Sequence, residues 1–176
     1  MRTDSISLSW RSDACERALN LATLVAQELE LDEKEKDNLL MLTEETLSMQ
    51  AAILGGYAGN LFFKINDNKC ELVIKSEETI SEDLKNTLIR MSSSGENEFK
   101  TSIGDKISDF FKELRDSNDF MDALDEHCAE DKVLVIKTKD GEIWDESERA
   151  ILHHYADEIR VGVKKNKIVI RVIKKY

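Results

Sequence analysis

Leu39-Leu-Met-Leu-Thr-Glu-Glu-Thr-Leu-Ser-Met-Gln-Ala-Ala-Ile-Leu54 is the stretch on which the fold turns. It is the longest strongly apolar helical pattern in the chain, and two adjacent carboxylates, Glu44 and Glu45, interrupt its middle. A helix this apolar packs on more than one side. A charged pair within it must then face a cleft, a partner or an edge. Upstream, Asp32-Glu-Lys-Glu35 has the spacing of a capping box, with Asp32 as N-cap and Glu35 three residues on. The first turns are acidic, as the helix dipole favours. Gly55-Gly56 stops the pattern. The spacing therefore predicts a single helix from Asp32 through Leu54.

Toward the N-terminus, Ser5-Ile-Ser-Leu-Ser-Trp10 alternates and places Ile6, Leu8 and Trp10 on one face of a half-buried strand. Ser12 or Asp13 can cap a helix running to about Glu30, with Cys15, Ala18, Leu19, Ala22, Ala26 and Leu29 on its apolar stripe. Toward the C-terminus, Leu61–Ile65 and Cys70–Ile74 flank the turn formers Asn66-Asp-Asn-Lys and read as a hairpin. Ser81 opens a helix carrying Leu84, Leu88 and Met91. The polar run Ser92-Ser-Ser-Gly-Glu-Asn-Glu98 reads as a loop, and for Ser92–Gly104 a lid is the other reading. A helix near Ile103–Leu114 follows, then the acidic, weakly periodic Arg115–Asp131, and a strand at Val133–Ile136. Asp145 can cap a helix through Tyr155. The alternating Ile159–Val163 and Ile168–Val172 close the chain as a second hairpin around Lys165-Asn166.

Hairpin strands with helices gathered between them imply an α/β (α+β) two-layer sandwich. Its sheet is mixed but mostly antiparallel and covered by helices on one face. No internal repeat or composition break divides the 176 residues, so one domain over 1–176 is expected.

A hydrophobic share of 41% and a charged share of 35% fit a globular protein. With no run of about 18 apolar residues and no signal-peptide core, a cytoplasmic address and no membrane partner are expected. The net charge of −11 argues against general nucleic-acid binding. The charge is uneven. Residues 164–176 hold six cations and no acid, leaving 19 basic against 36 acidic residues elsewhere. Two readings stand: the lysines keep the edge of a terminal strand from pairing with other chains, or a basic edge meets an acidic partner. Cys15, Cys70 and Cys128 are widely spaced, which implies reduced thiols. His127-Cys128 and His153-His154 are neighbours about 100° apart on a helix, so they make no metal clamp, and no metal site is expected. Met41, Met49 and Met91 read as core, or as a groove for a partner peptide.

With these elements in order, the chain resembles the histidine-kinase-type (GHKL, Bergerat-fold) ATP-binding domain, and within it the branch of bacterial anti-sigma-factor serine kinases. The layout matches over nearly the whole chain. The segments that carry the likeness are Met41–Met49, Ser94-Gly-Glu-Asn97, Ile103-Gly-Asp-Lys-Ile107, Trp144-Asp-Glu-Ser-Glu148 and Val161-Gly-Val-Lys164. In that family the second helix bears Glu-x-x-x-Asn, where Glu activates water and Asn holds the Mg²⁺ bridging the phosphates. One turn separates them, so both face the nucleotide.

The resemblance makes Glu44 and Glu45 the candidate general bases. It puts Ser48 at the Asn position of Glu44 and Met49 at that of Glu45. Serine is a poorer magnesium ligand and methionine no ligand for a hard cation. A structural role is the other reading of the acidic pair, one carboxylate capping or pairing at the helix–sheet margin and the other solvated. The family's Asp-x-Gly-x-Gly, which takes the adenine amino group, is replaced by Lys75-Ser-Glu-Glu-Thr-Ile-Ser81, where Glu77 or Glu78 offers a carboxylate. The glycine-rich lid is reduced to Gly95 and Gly104, with Lys106 near enough to approach an anion.

The resemblance thus implies a degenerate ATPase-like domain with no cofactor or weak ATP/Mg binding. It would act as a regulatory or protein-binding module in bacterial signalling. The expected partner is a protein of the sigma-factor or anti-anti-sigma type, and homodimerisation stays open. The alternative is an ATP-binding protein or serine kinase with an altered Mg site.

Overall fold

The structure, a computed structural model, describes residues 1–8, 13–99, 136–137, 143–144 and 146–176. Element order is β1 (Ile6–Leu8), α1 (Ala14–Glu28), α2 (Glu33–Leu54), β2 (Gly59–Asn66), β3 (Lys69–Glu77), α3 (Glu82–Arg90), β4 (Ile136–Lys137), β5 (Ile143–Trp144), α4 (Glu146–Tyr155), β6 (Glu158–Lys164) and β7 (Lys167–Lys175). Trp10, the helix expected at Ile103–Leu114, Arg115–Asp131, Cys128, Val133–Val135 and Asp145 lie outside the described residues.

The ends of α2 are set locally. The Asp32 side chain accepts from Glu35 N and the Glu35 side chain accepts from Asp32 N, so both halves of the capping box are made. Gly55 ends the helix at φ 74°, a left-handed conformation that costs glycine least. Ser81 caps α3 by accepting from Leu84 N. The β2–β3 turn has Asp67 at φ 49° and the β6–β7 turn Lys165 at φ 53°, the positive φ that tight hairpins require.

Five strands pair antiparallel in the order β1-β2-β3-β7-β6, and β4 pairs with β5 separately. Leu61, Phe63, Leu72, Ile74, Ile168, Ile170, Val161 and Val163 point to one face. There they share a buried core with Ala18 and Ala22 of α1, Leu42 and Leu47 of α2, Leu88 of α3 and Leu152 of α4. The expected two-layer α+β sandwich is therefore present, the described helices lying on one face. Cys15 and Cys70 are free thiols, and burial pushes Cys70 up to about 12.

The sheet order corrects one expectation. β7 lies between β3 and β6, and the edges are β1 and β6. The cations of residues 164–176 therefore do not guard the edge of a terminal strand. The free side of β6 is instead taken by Ser92–Phe99, the run read as a loop or lid. Ser93 N donates to Ile159 O and Ser93 Oγ accepts from Ile159 N, at 2.7 and 2.8 Å. Asn97 clasps Val163 from both sides, Nδ2 donating to its carbonyl at 2.8 Å and Oδ1 accepting from its N–H at 3.0 Å. Glu98 N donates to Val161 O. A few polar side chains here do the work of a sixth strand.

Among the described residues no helix is long and apolar enough to cross a membrane.

Candidate functional site

Helical periodicity sorts the residues of α2. Leu39, Leu42, Thr43, Thr46, Leu47, Met49, Gln50 and Ile53 are buried. The hydroxyls of Thr43 and Thr46 turn back to the carbonyls of Leu39 and Leu42, at 2.8 and 2.6 Å, which lets two polar residues sit in the core. Met41, Glu44 and Ser48 are exposed, and spacings of three and four place them on one stripe. Glu45 is half-buried and takes part in interactions of its own.

The Glu44/Ser48 register thus brings a carboxylate and a hydroxyl together one turn apart at the surface. The Glu45/Met49 register does not, since Met49 is fully enclosed in the core. Glu44 acts on Cys15 of α1 and on Tyr57. Both groups are pushed up, by burial first, with the Glu44 charge adding to it.

The other candidates lie apart. Strand alternation puts Ser76 on the α2 side of β3, paired across from Ile168, and Glu77 on the opposite side with Val73 and Lys75. Glu77 approaches Lys167 at 4.0 Å. Glu78 is exposed, and its N–H donates to Asn166 O at 2.7 Å. Neither is brought to Glu44 by strand β3. What faces α2 at that end of the sheet is Ser76, with buried Gln50 donating to Ala58 O. Among the described residues, the Ser76 hydroxyl and the Gln50 carbonyl are both buried without a hydrogen-bond partner. Gly95 is exposed at φ 68° in the segment along β6. Gly104 and Lys106 lie outside the described residues. Met49 and Met91 are core residues while Met41 is 39% exposed, so the three methionines do not line one groove.

The sheet face away from the helices carries a charged cluster that the sequence reading missed. Arg171 Nη1 meets Glu71 Oε1 at 3.0 Å and its Nε lies 3.6 Å from Glu98 Oε2. Arg160 holds Glu158 through two hydrogen bonds of 2.7 and 2.9 Å and lies 3.9 Å from Glu98. Phe99 covers Gly162 here; a Cβ on Gly162 would stand 2.7 Å from the ring. Phe99 also packs on Phe62, Val73 and Val169. The signal was present in Ile168-Val-Ile-Arg-Val172, whose alternation puts Arg171 on the face opposite Ile170, but its partners are far away in sequence.

Two carboxyls in this cluster shift oppositely. Burial raises Glu98 against the pull of Arg171 and Arg160, whereas the Arg160 hydrogen bond lowers Glu158. A raised carboxyl contributes stability below the ordinary range that is lost as pH rises through its folded value; a lowered one contributes above that range and loses it on acidification. Glu98→Gln is therefore expected to keep or raise the thermal midpoint at neutral pH, and Glu158→Gln to lower it. The Glu158→Gln deficit should close as pH falls below the ordinary 4.5. Melting curves of both variants from neutral to acid pH check this, and a Glu158→Gln deficit that widens on acidification would contradict it.

Comparison with protein-family models and with curated proteins gives no match for this chain.

Proposed function

We propose that the chain is a regulatory, protein-binding domain of the histidine-kinase ATPase type, of the anti-sigma-factor kind in bacterial signalling, with an eroded nucleotide site. The observation that carries this reading is the exposed stripe of α2. Glu44 remains at the surface, and the residue one turn on is a hydroxyl rather than the amide that would hold Mg²⁺. The end of β3 adds support, because the side chain facing α2 there is Ser76 and the carboxylate of Glu77 is on the other face. This assignment joins a fold resemblance to a site, and only the site bears on activity.

The same stripe keeps a second reading, an ATP-binding protein or serine kinase with an altered Mg site, since Glu44 and Ser48 are both accessible. Titration calorimetry of the full chain with ATP and Mg²⁺ separates the two. The eroded-site reading expects no heat up to about 1 mM ATP, which means binding weaker than about −4 kcal/mol. Saturable heat that disappears in a Glu44→Ala, Ser48→Ala double variant would overturn it in favour of the second reading.

A further inference from the structure

The outer edge of β6 is held by Ser92–Phe99 in a way unlike strand pairing. That run is turns and bends with a single bridged residue, Asn97 opposite Val161. Most of its bonds to β6 come from side chains. Ser93 Oγ accepts from Ile159 N, and both ends of the Asn97 amide hold Val163. As backbone, Ser93 N and Glu98 N reach Ile159 O and Val161 O. These bonds show how the strand is turned. Ile159, Val161 and Val163 direct N–H and C=O to the outer edge, and alternation directs those of Glu158, Arg160, Gly162 and Lys164 to β7.

An edge turned this way can pair antiparallel with a second copy of itself, and its side chains select one register. With Val161 opposite the second copy's Val161, Ile159 faces Val163, Arg160 faces Gly162 and Glu158 faces Lys164. The outward groups of Ile159, Val161 and Val163 then bond across a two-fold axis. On the helix-free face opposite charges meet and Arg160 crosses a glycine. Sliding by two residues either way sets Arg160 against the second copy's Arg160 or its Lys164, and like charges facing each other destabilise a sheet. A slip of one residue turns the apolar positions to the wrong face. We propose that β6 is a homodimerisation strand kept closed by the Ser92–Phe99 strap, and that on release of the strap two copies join edge to edge about Val161 into one continuous sheet. Phe99 packs against the Gly162 backbone in the closed form, in the room the second copy's Arg160 takes in the dimer. The closed form is monomeric, because the strap binds within one chain whereas association costs translational freedom. The inference goes beyond the nucleotide question and uses no residue of α2.

Sedimentation velocity of the full chain is expected to show a monomer for the parent and a concentration-dependent dimer for the variant Ser93→Ala, Asn97→Ala. Hydrogen exchange locates the contact. In that variant the amides of Ile159, Val161 and Val163 should exchange at least about tenfold more slowly where the dimer forms than in dilute solution. Adding Lys164→Glu sets like charges opposite each other at both ends of the pairing and should raise the dissociation constant about tenfold. If the double variant does not fold, Asn97→Ala alone decides by the same readouts. A dimeric parent, a variant that stays monomeric, assemblies that grow beyond a dimer, or β6 amides whose exchange ignores concentration each overturn the proposal. These outcomes leave the calorimetric result with ATP untouched, and ATP binding would equally leave the β6 pairing standing while removing the eroded-site reading.

Discussion

Replacing Arg171 with Met is expected to cost about 3–5 kcal/mol of folding stability. The guanidinium is buried and central in its face of the sheet, reaching Glu71 at 3.0 Å and Glu98 at 3.6 Å. Met preserves most of the stem's packing but leaves two enclosed carboxylates facing each other with less compensation. Breaking a buried pair on one side is far more costly than replacing the whole pair by apolar groups. The triple variant Arg171→Met, Glu71→Leu, Glu98→Gln should therefore recover most of the loss. Urea denaturation monitored by circular dichroism measures both. A single variant less than about 1 kcal/mol below the parent would mean that the cluster is solvated and only geometrically close.

That cluster also marks what sequence could and could not supply. The start and end of α2 were legible because their causes lie within a few residues: Asp32 and Glu35 cap each other, and Gly55 takes the left-handed turn that stops the helix. Both hairpins were legible from alternation and turn residues. The face of Glu77 was also available, since counting by two from Ile74 puts Ser76, not Glu77, toward α2; the family motif drew attention to the carboxylate instead. The place of β7 was not available. Its lysines suit an edge strand, and only pairing with Lys69–Glu77, about 100 residues earlier, makes it central. The anchoring of Ser92–Phe99 was hidden for the same reason. Serines, glycine and asparagine are loop formers in isolation, and what makes Asn97 structural is Val163, 66 residues on. Of the candidate site, the Glu44/Ser48 stripe follows from helical spacing, while the edge position of β6 depends on β7 lying inside it.

Gly59→Ala is expected to destabilise the chain by more than about 3 kcal/mol, since backbone strain and a hard contact act together. Gly59 has φ +96°, a region that L side chains rarely adopt. A Cβ there would lie 2.0 Å from Lys75 O and 2.8 Å from Ser76 Cα. Both obstacles are backbone of the neighbouring strand, so no rotamer change relieves the clash. Moving Gly59 toward β1 disturbs its pairing with Leu8, and moving β3 disturbs the ladder to β7. The preceding residue, Ala58, accepts the hydrogen bond from buried Gln50, so the same shift loosens the hold of the sheet on the C-terminal half of α2. Hydrogen exchange should show faster opening of Leu61–Phe63 and of α2 beyond Ser48, with the β6–β7 hairpin least affected. Near-parental urea stability, or uniform acceleration across both hairpins, would contradict this account. Because Glu44 and Ser48 are displayed by that helix, the tight approach of Gly59 to β3 sets where the stripe stands relative to the end of the sheet.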